Sequence, residues 1–387
     1  MNDANRDNSI SINVVIDALG FQILQNHEFL ADLCIHRKGI ASIFGFSSAC
    51  LPSIYTGLYP DEHQRWGMWY YSPDNSEFQK YKILQILPEI QIRKKPISRY
   101  IIQTLYNRYS SISEYFSIYN IPLRNLHKYN LASTQDIYSS GSFHPQESIF
   151  DRLSSSNRKS FSANWRSSME DSFRGAKMAI EHKDAQNIFI YNSEMDALLH
   201  KVGPEGDPSR IQKLLDLYSL NIQNLYQMAS NKSDSVRMNI MSDHGMTQVR
   251  DEVDFISILE KSGLKPYTDY YPFYDSTMLR FNYRDSSSRK QMEDFLSAYQ
   301  EYGKLMSDSD LRRERVYFPD HRYGETVFAL KHGTVVNPSM VSKKAPLGMH
   351  GYLPDDPSCD AILISNYPIE NSLNNITGFH SRIISTL

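Results

Sequence analysis

Cysteine is scarce in this chain: Cys34, Cys50 and Cys359 are the three present in 387 residues, far apart in sequence. That spacing excludes a disulfide framework and a thiolate-built zinc site. Long apolar runs are missing as well. None approaches the roughly 18 residues that a membrane-crossing helix needs. The opening residues, MNDANRDNSIS, are polar and carry no apolar stretch of the kind that exports a protein. A cytoplasmic protein is therefore expected. Excess charge of one sign is also lacking. The formal net charge is −3, which leaves no basic footprint for nucleic acid. Internal repeats and low-complexity linkers are absent too.

The chain has enough apolar residues, 41%, to bury a sizeable core, and it is longer than one core usually needs. One large α/β domain with an insertion, or two lobes, is expected. Short β-branched or apolar runs predict strands at 12–16, 40–46, 187–191, 236–241, 278–282, 323–330 and 360–365. Helical spacing predicts helices at 21–37, 173–182, 210–229, 253–261 and 287–302. Segment 266–274 reads as an aromatic loop. Between residues 66 and 150 the βα rhythm stops and the composition turns aromatic and basic, as in an insertion or cap.

The chemistry-bearing residues collect where strands end. In α/β proteins, ligands bind outside the carboxyl ends of strands. Asp243 and His244 follow the 236–241 run directly, and Gly245 allows a sharp turn. A carboxylate beside an imidazole suits a divalent metal, although a capped turn would use the same residues. Asp17 follows the 12–16 run in the same way. Asp196 and His200 leave the 187–191 run four residues apart, so on a helix they share one face. His350 lies in a loop beside Gly351. After the 40–46 run, Ser47 and Ser48 open a segment that ends at Gly57. Either hydroxyl would stand at a helix N-terminus, where backbone amides favour an anion. Each residue has a plain structural alternative. Jointly, three carboxylates, three imidazoles and a hydroxyl at separate strand ends and turns are what a two-metal site requires.

The pieces VVIDALG (14–20), SSACLPSIYTGLYPDEH (47–63), MDALLHKVGP (195–204), SDHGM (242–246) and MHGY (349–352) stand in a telling order. In order and wording they resemble the alkaline phosphatase superfamily, specifically its type I phosphodiesterase/nucleotide pyrophosphatase branch. The resemblance runs from about residue 12 to 366 and is weak across 66–150. It implies an α/β core with a central mixed, mostly parallel sheet flanked by helices, formed by 10–65 and 151–387, with 66–150 as the cap. In that branch the nucleophile lies nine residues before the threonine of TGLYP, which is Ser47 here. By the same carry-over, Asp17, Asp243, His244 and the Ser47 oxygen would hold one metal, and Asp196, His200 and His350 the other. Two divalent ions are implied, zinc first, with manganese or magnesium as substitutes.

The implied activity is hydrolysis of a small-molecule phosphoester, a diester or pyrophosphate, through a phosphoserine on Ser47. A phosphomonoesterase is the alternative on the same site; a binding protein that has lost catalysis would have no need of the complete ligand set. A sulfatase is excluded because Ser47 is followed by neither the proline nor the arginine that formylglycine conversion requires. One position departs from the family pattern. Where nucleotide pyrophosphatases carry a phosphate-binding asparagine, twelve residues after that threonine, this chain has Met68. Gly67, four residues after His63, is more like a bacterial phosphodiesterase subgroup, and the Trp69 indole N–H or a backbone amide is the expected substitute donor.

Overall fold

Ile10, Ile12, Val14 and Ile16 alternate with Ser11, Asn13 and Val15, giving strand Ser9–Ile16 two different buried faces. The computed structural model describes residues 9–86, 103–104 and 117–387. In it, this strand lies inside a six-stranded sheet. The order is His36–Ile40, Ala361–Ser365, Ser235–Met241, Ser9–Ile16, Asn187–Asn192, Ser160–Ala163. The last four are parallel, and Ala361–Ser365 is antiparallel to both neighbours. The central sheet is therefore mixed, mostly parallel and flanked by helices.

The Ile10–Ile16 face packs under helices Met169–Lys183 and Pro208–Lys232. In the longer helix Ile211, Leu215, Tyr218, Ile222, Leu225 and Ala229 recur at alternating spacings of four and three, so one stripe is buried along its length. Helices Ser47–Thr56, Ile149–Ser155 and Gly378–Ile384 cover the opposite face. Polar groups buried there form a chain of hydrogen bonds. Asn13 donates to Ser11, Asn239 donates to Asn13 at 2.9 Å, and Arg382 donates to Asn239 and Ser365 at 2.8 and 2.9 Å. Among the described residues no helix is long and apolar enough to cross a membrane.

A second, antiparallel sheet has the order Tyr270–Tyr274, Met278–Tyr283, Thr326–Leu330, Gly303–Met306. Its core includes Trp69, Phe78, Leu126, Tyr129 and Leu131 from the 66–150 segment, where Trp69–Tyr71 pairs with Tyr129–Leu131. Residues 87–102 and 105–116 of the expected cap lie outside the described residues.

Several local expectations differ from this structure. Segment 21–37 is not a helix: it holds a single 3₁₀ turn, Ile23–Gln25, and Leu30 sits at φ +50°, which an α-helix does not allow. Its apolar residues Ile23, Leu24, Phe29, Leu30 and Cys34 are buried one by one under the sheet, which imitated a helical spacing. Strand 40–46 lies earlier, at His36–Ile40, and the chain then turns toward the helix at Ser47. Segment 266–274 is no loop from residue 270 onward. Tyr270–Tyr274 is a strand whose aromatics fill the second core. The edge strand Ser160–Ala163 is not among the expected strands, and Val253 ends a strand before helix Phe255–Leu259.

Arg382 is 1% exposed and joins the last helix to two strands. Arg382→Met would leave the buried acceptor of Asn239 without its donor. The variant should lose about 3 kcal/mol of stability in urea unfolding. A loss below about 0.5 kcal/mol would mean the network is decorative.

Candidate active site

The register of the parallel strands builds the site. Ile16 pairs with Asn192, and Val15 with Met241, so three neighbouring strands end at one level. Asp17, helix Glu194–Val202 and Asp243 therefore start from one edge. The loops there pass in contact. A Cβ on Gly245 would lie 2.1 Å from the Ser358 carbonyl oxygen, and one on Gly20 would lie 2.7 Å from the Gly245 Cα. A side chain at Gly20 would drive the loops of Asp17 and Asp243 apart, and one at Gly245 would push the second of them off the 358–360 segment. Ala18 takes φ +61°, an uncommon conformation for a residue with a side chain, and its amide donates to Asp243 Oδ1 at 3.3 Å.

Asp17, Asp243 and His244 are all buried. Tyr191 Oη donates to Asp17 Oδ2. The His244 amide donates to Asp243 Oδ1 at 3.1 Å. Asp17 Oδ1 and Asp243 Oδ2 receive no hydrogen bond from the described residues. Both face Nε2 of His244, at 3.4 and 3.2 Å. In the neutral ring that nitrogen carries the lone pair, because His244 Nδ1–H donates to the Gly245 carbonyl at 2.9 Å. Ser47 Oγ lies 3.0 Å from the same Nε2.

The second group lies alongside. Asp196 and His200 are one turn apart on helix Glu194–Val202. His200 Nδ1–H donates to the Gly348 carbonyl at 2.8 Å, turning Nε2 toward Asp196 Oδ1 at 3.2 Å. His350 Nε2 is 3.5 Å from that oxygen, which likewise lacks a hydrogen bond. In each group the three ligand atoms lie within 4.8 Å of one another. The His244 and His350 rings stack at 3.8 Å with planes 13° apart, which draws the groups together.

The electrostatics suit cations. Burial raises the Asp17 carboxyl well above its usual range, and the nearby Asp243 and Asp196 add to that. Burial pushes Asp243 up to about 7, partly opposed by the Ala18 amide. Burial, with His244 and His200 beside it, holds His350 well below the usual imidazole range. Burial also works against a charged His200, but Asp196 outweighs it and raises the ring to about 9. Carboxylate oxygens gathered with imidazole nitrogens in a buried space fit divalent metal ions with oxygen and nitrogen ligands, a cation taking the place of the His200 proton that faces Asp196.

Ser47 is the first residue of helix Ser47–Thr56. The Ala49 and Cys50 amides already bond to the Phe46 carbonyl, so those of Ser47 and Ser48 are the ones the helix end offers to an anion. Gly57 ends the helix at φ +73°. Both serines line a cavity of about 690 Å³, which reaches Asp17, Asp196, His200 and His350. Met68 also lines it. Trp69 does not serve as the expected substitute donor. It is fully buried, and its indole N–H donates to the Ser117 carbonyl at 2.9 Å. Trp69 is buried in the core of the second sheet, beside Phe78, with Met68 packed against that core at its edge.

Sequence reasoning passed over four contributors. Tyr191 holds Asp17, and its place at the end of a strand beside Asn192 was the available signal. Gly348 orients His200 through its carbonyl, which no sequence pattern reveals. Asp275 lines the cavity, and Thr277 donates to the Gly351 carbonyl next to His350 at 2.9 Å. Both belong to the turn after strand Tyr270–Tyr274, just past the segment expected to be loop.

The model of the type I phosphodiesterase/nucleotide pyrophosphatase family matches residues 12–353. Solved structures share the fold. Murine ectonucleotide pyrophosphatase/phosphodiesterase 5 aligns with a TM-score of 0.67 at 15% identity, over 97% of this chain and 94% of that one. An inactive variant of the murine protein, with alanine in place of a threonine and AMP bound, gives 0.66 at 15%, over 98% and 95%. The human counterpart gives 0.67 at 13%, over 97% and 94%. No curated protein matches by sequence. The chain belongs to the type I phosphodiesterase/nucleotide pyrophosphatase family of the alkaline phosphatase superfamily, and is a phosphoric ester hydrolase.

Proposed function

We propose that the chain hydrolyses phosphodiester or pyrophosphate bonds of a small molecule, with Ser47 as nucleophile and two divalent cations, zinc in the first place, in the paired ligand groups. One observation carries this reading. Ser47 Oγ, on a helix N-terminus, lies 3.0 Å from the lone-pair nitrogen of His244, where Asp17 and Asp243 also converge. A hydroxyl nucleophile also agrees with the murine relative, whose Thr-to-Ala variant is inactive with AMP bound. Asp17, Asp243 and His244 would hold one ion, and Asp196, His200 and His350 the other. Bound there, the cations supply Lewis acidity that favours the alkoxide of Ser47 and neutralises phosphoryl charge.

The residues then divide the work. The Ser47 and Ser48 amides receive phosphoryl oxygens at the helix end. Ser47 Oγ gives its proton to solvent and bonds to phosphorus. The phosphorus–oxygen bond to the leaving group breaks, and its electron pair leaves with that oxygen. Water then cleaves the phosphoserine and restores the hydroxyl. Gly245 and Gly348 keep the His244 and His200 rings turned so that Nε2 faces inward. We assign the cap role to both the 66–150 segment and the second sheet, which share one core. The monoesterase alternative gains little from Arg65. Its guanidinium lines the cavity, but it donates to the Ser142 carbonyl at 2.5 Å and lies 4.0 Å over the Phe143 ring.

Metal analysis of protein purified without chelators should find about two divalent ions per chain. Chelation should abolish diester hydrolysis, and zinc or manganese should restore it. Protein that holds no metal, and that none activates, would sink the proposal.

Ser47→Ala should lower diesterase turnover about a thousandfold or more while keeping the wild-type metal content. Ser48→Ala should be far milder. Full activity in Ser47→Ala would move the nucleophile to Ser48.

The Asp243 carboxyl sits near 7 in the folded chain against 3.8 otherwise. A raised value contributes stability below about pH 4 that is lost as pH rises through 7. Compared after chelation, Asp243→Asn should therefore gain thermal stability relative to wild type between pH 5 and 8. With zinc added, the order should reverse, because the ligand is missing. A chelated difference that stays flat with pH would contradict the assignment of Asp243 as a buried, uncompensated carboxylate.

A further inference from the structure

The wall of the cavity at Met68 carries a buried ion pair that the reaction does not use. Arg280 and Asp275 are 3% and 6% exposed. Arg280 Nε and Nη2 both reach the same oxygen, Asp275 Oδ2, each at 2.9 Å. Asp275 Oδ1 receives no hydrogen bond from the described residues, and Asp275 lines the cavity. The guanidinium is itself held in place. Nη1 donates to the Trp69 carbonyl at 3.1 Å, and the Phe273 ring lies 4.5 Å from Cζ. A Cβ on Gly67 would come within 3.3 Å of Nη2, so Arg280 sits directly behind the backbone that carries Met68. Asp275 is thus presented beside Met68 as a rigid acceptor with one oxygen uncommitted.

A carboxylate repels phosphoryl oxygens, so this wall does not replace the missing phosphate donor. It faces the organic part of the substrate. Its partner must donate a hydrogen bond. Arg280 already neutralises the carboxylate, so a cationic group would gain little there and would meet the guanidinium's charge at short range. A neutral hydroxyl fits both conditions. We infer that Asp275 is a specificity-determining residue that accepts a hydrogen bond from a hydroxyl on the substrate's alcohol portion, a polyol or sugar ester in chemical class. This rests on the diesterase reading above.

The test uses the metal-loaded full chain and four p-nitrophenyl phosphodiesters, whose second alcohol is methyl, 2,3-dihydroxypropyl, 2,3-dimethoxypropyl or choline. The dihydroxypropyl ester should exceed the dimethoxypropyl ester at least tenfold in kcat/KM, since a site built for a hydroxyl rejects the analogue that cannot donate. The choline ester should do no better than the methyl ester. In Asp275→Asn the amide oxygen must serve Arg280, which turns the NH₂ toward the cavity, so the hydroxyl-to-methoxy ratio should fall to about one or below. If that variant does not fold, the pair Asp275→Leu with Arg280→Met, which removes both charges, should give the same collapse of the ratio. A wild-type ratio within twofold, a preference for choline, or a ratio unchanged in the variants overturns the inference while leaving the diesterase reading standing. Failure to hydrolyse any of the four esters overturns that reading and the inference with it.

Discussion

Three carboxylates packed at one edge of a sheet, two of them fully out of water, are the constraint on which the rest of this structure depends. Burying ionised groups without partners is among the costliest things a fold can do. Here Asp17 and Asp243 stand on adjacent parallel strands whose register leaves no freedom to separate them. The surrounding groups oppose the strain without removing it. Tyr191 takes one oxygen of Asp17, two amides take one oxygen of Asp243, and Ser42 donates to the Asp243 carbonyl at 2.8 Å. In each carboxylate one oxygen is left facing an imidazole nitrogen. A fold that satisfies one oxygen of each of the two buried carboxylates and aims the other at a common point is shaped for cations.

The strength of that demand explains the backbone around it. Gly245 and Gly20 let the loops after two strands touch, and Gly351 lets the His350 loop touch the residue before the nucleophile. A Cβ on Gly351 would lie 2.5 Å from the Phe46 ring, and Phe46 is the cap of the helix that begins at Ser47. The proposed nucleophile and a proposed ligand of the second group are thus set by one contact. Orientation of His244 and His200 is delegated to main-chain carbonyls, which do not change rotamer. Such groups hold a ring more firmly than a side-chain acceptor would.

This chemistry was legible in the sequence because each ligand is attached to a β-branched run or to a helix with i, i+4 spacing. Asp17, Asp243 and the Asp196–His200 pair need only local structure to be seen. The carry-over of order then grouped them as the fold groups them. The central sheet was read well for the same reason. What was hidden depends on contacts remote in sequence. Segment 21–37 resembles a helix because the sheet above it accepts apolar residues at irregular intervals. Strand Tyr270–Tyr274 resembles a loop because its residues pack in a core assembled from three distant pieces of chain. Trp69 looked available to a substrate because a donor's chemistry is visible in sequence and its direction is not.

The two sheets therefore carry different kinds of information. Five of the six proposed carboxylate and imidazole ligands come from loops and a helix that follow the parallel strands of the first sheet, and the sixth, His350, follows the short strand Gly348–Met349 that pairs with Thr247–Gln248. The second sheet contributes none of them, yet the turn after its strand Tyr270–Tyr274 enters the cavity with Asp275 and ties Thr277 to the carbonyl beside His350. One face of the second sheet, with Met278, Val327 and Ala329, packs in the same core as Val15, Met241 and Leu363 of the first, while its other face carries the core behind the wall, so a side chain on the turn can change without disturbing the register that sets the proposed ligands. Reaction type and substrate choice are thus stored in structurally separable places. That is the physical reason why motifs identify the first so readily and are nearly silent about the second.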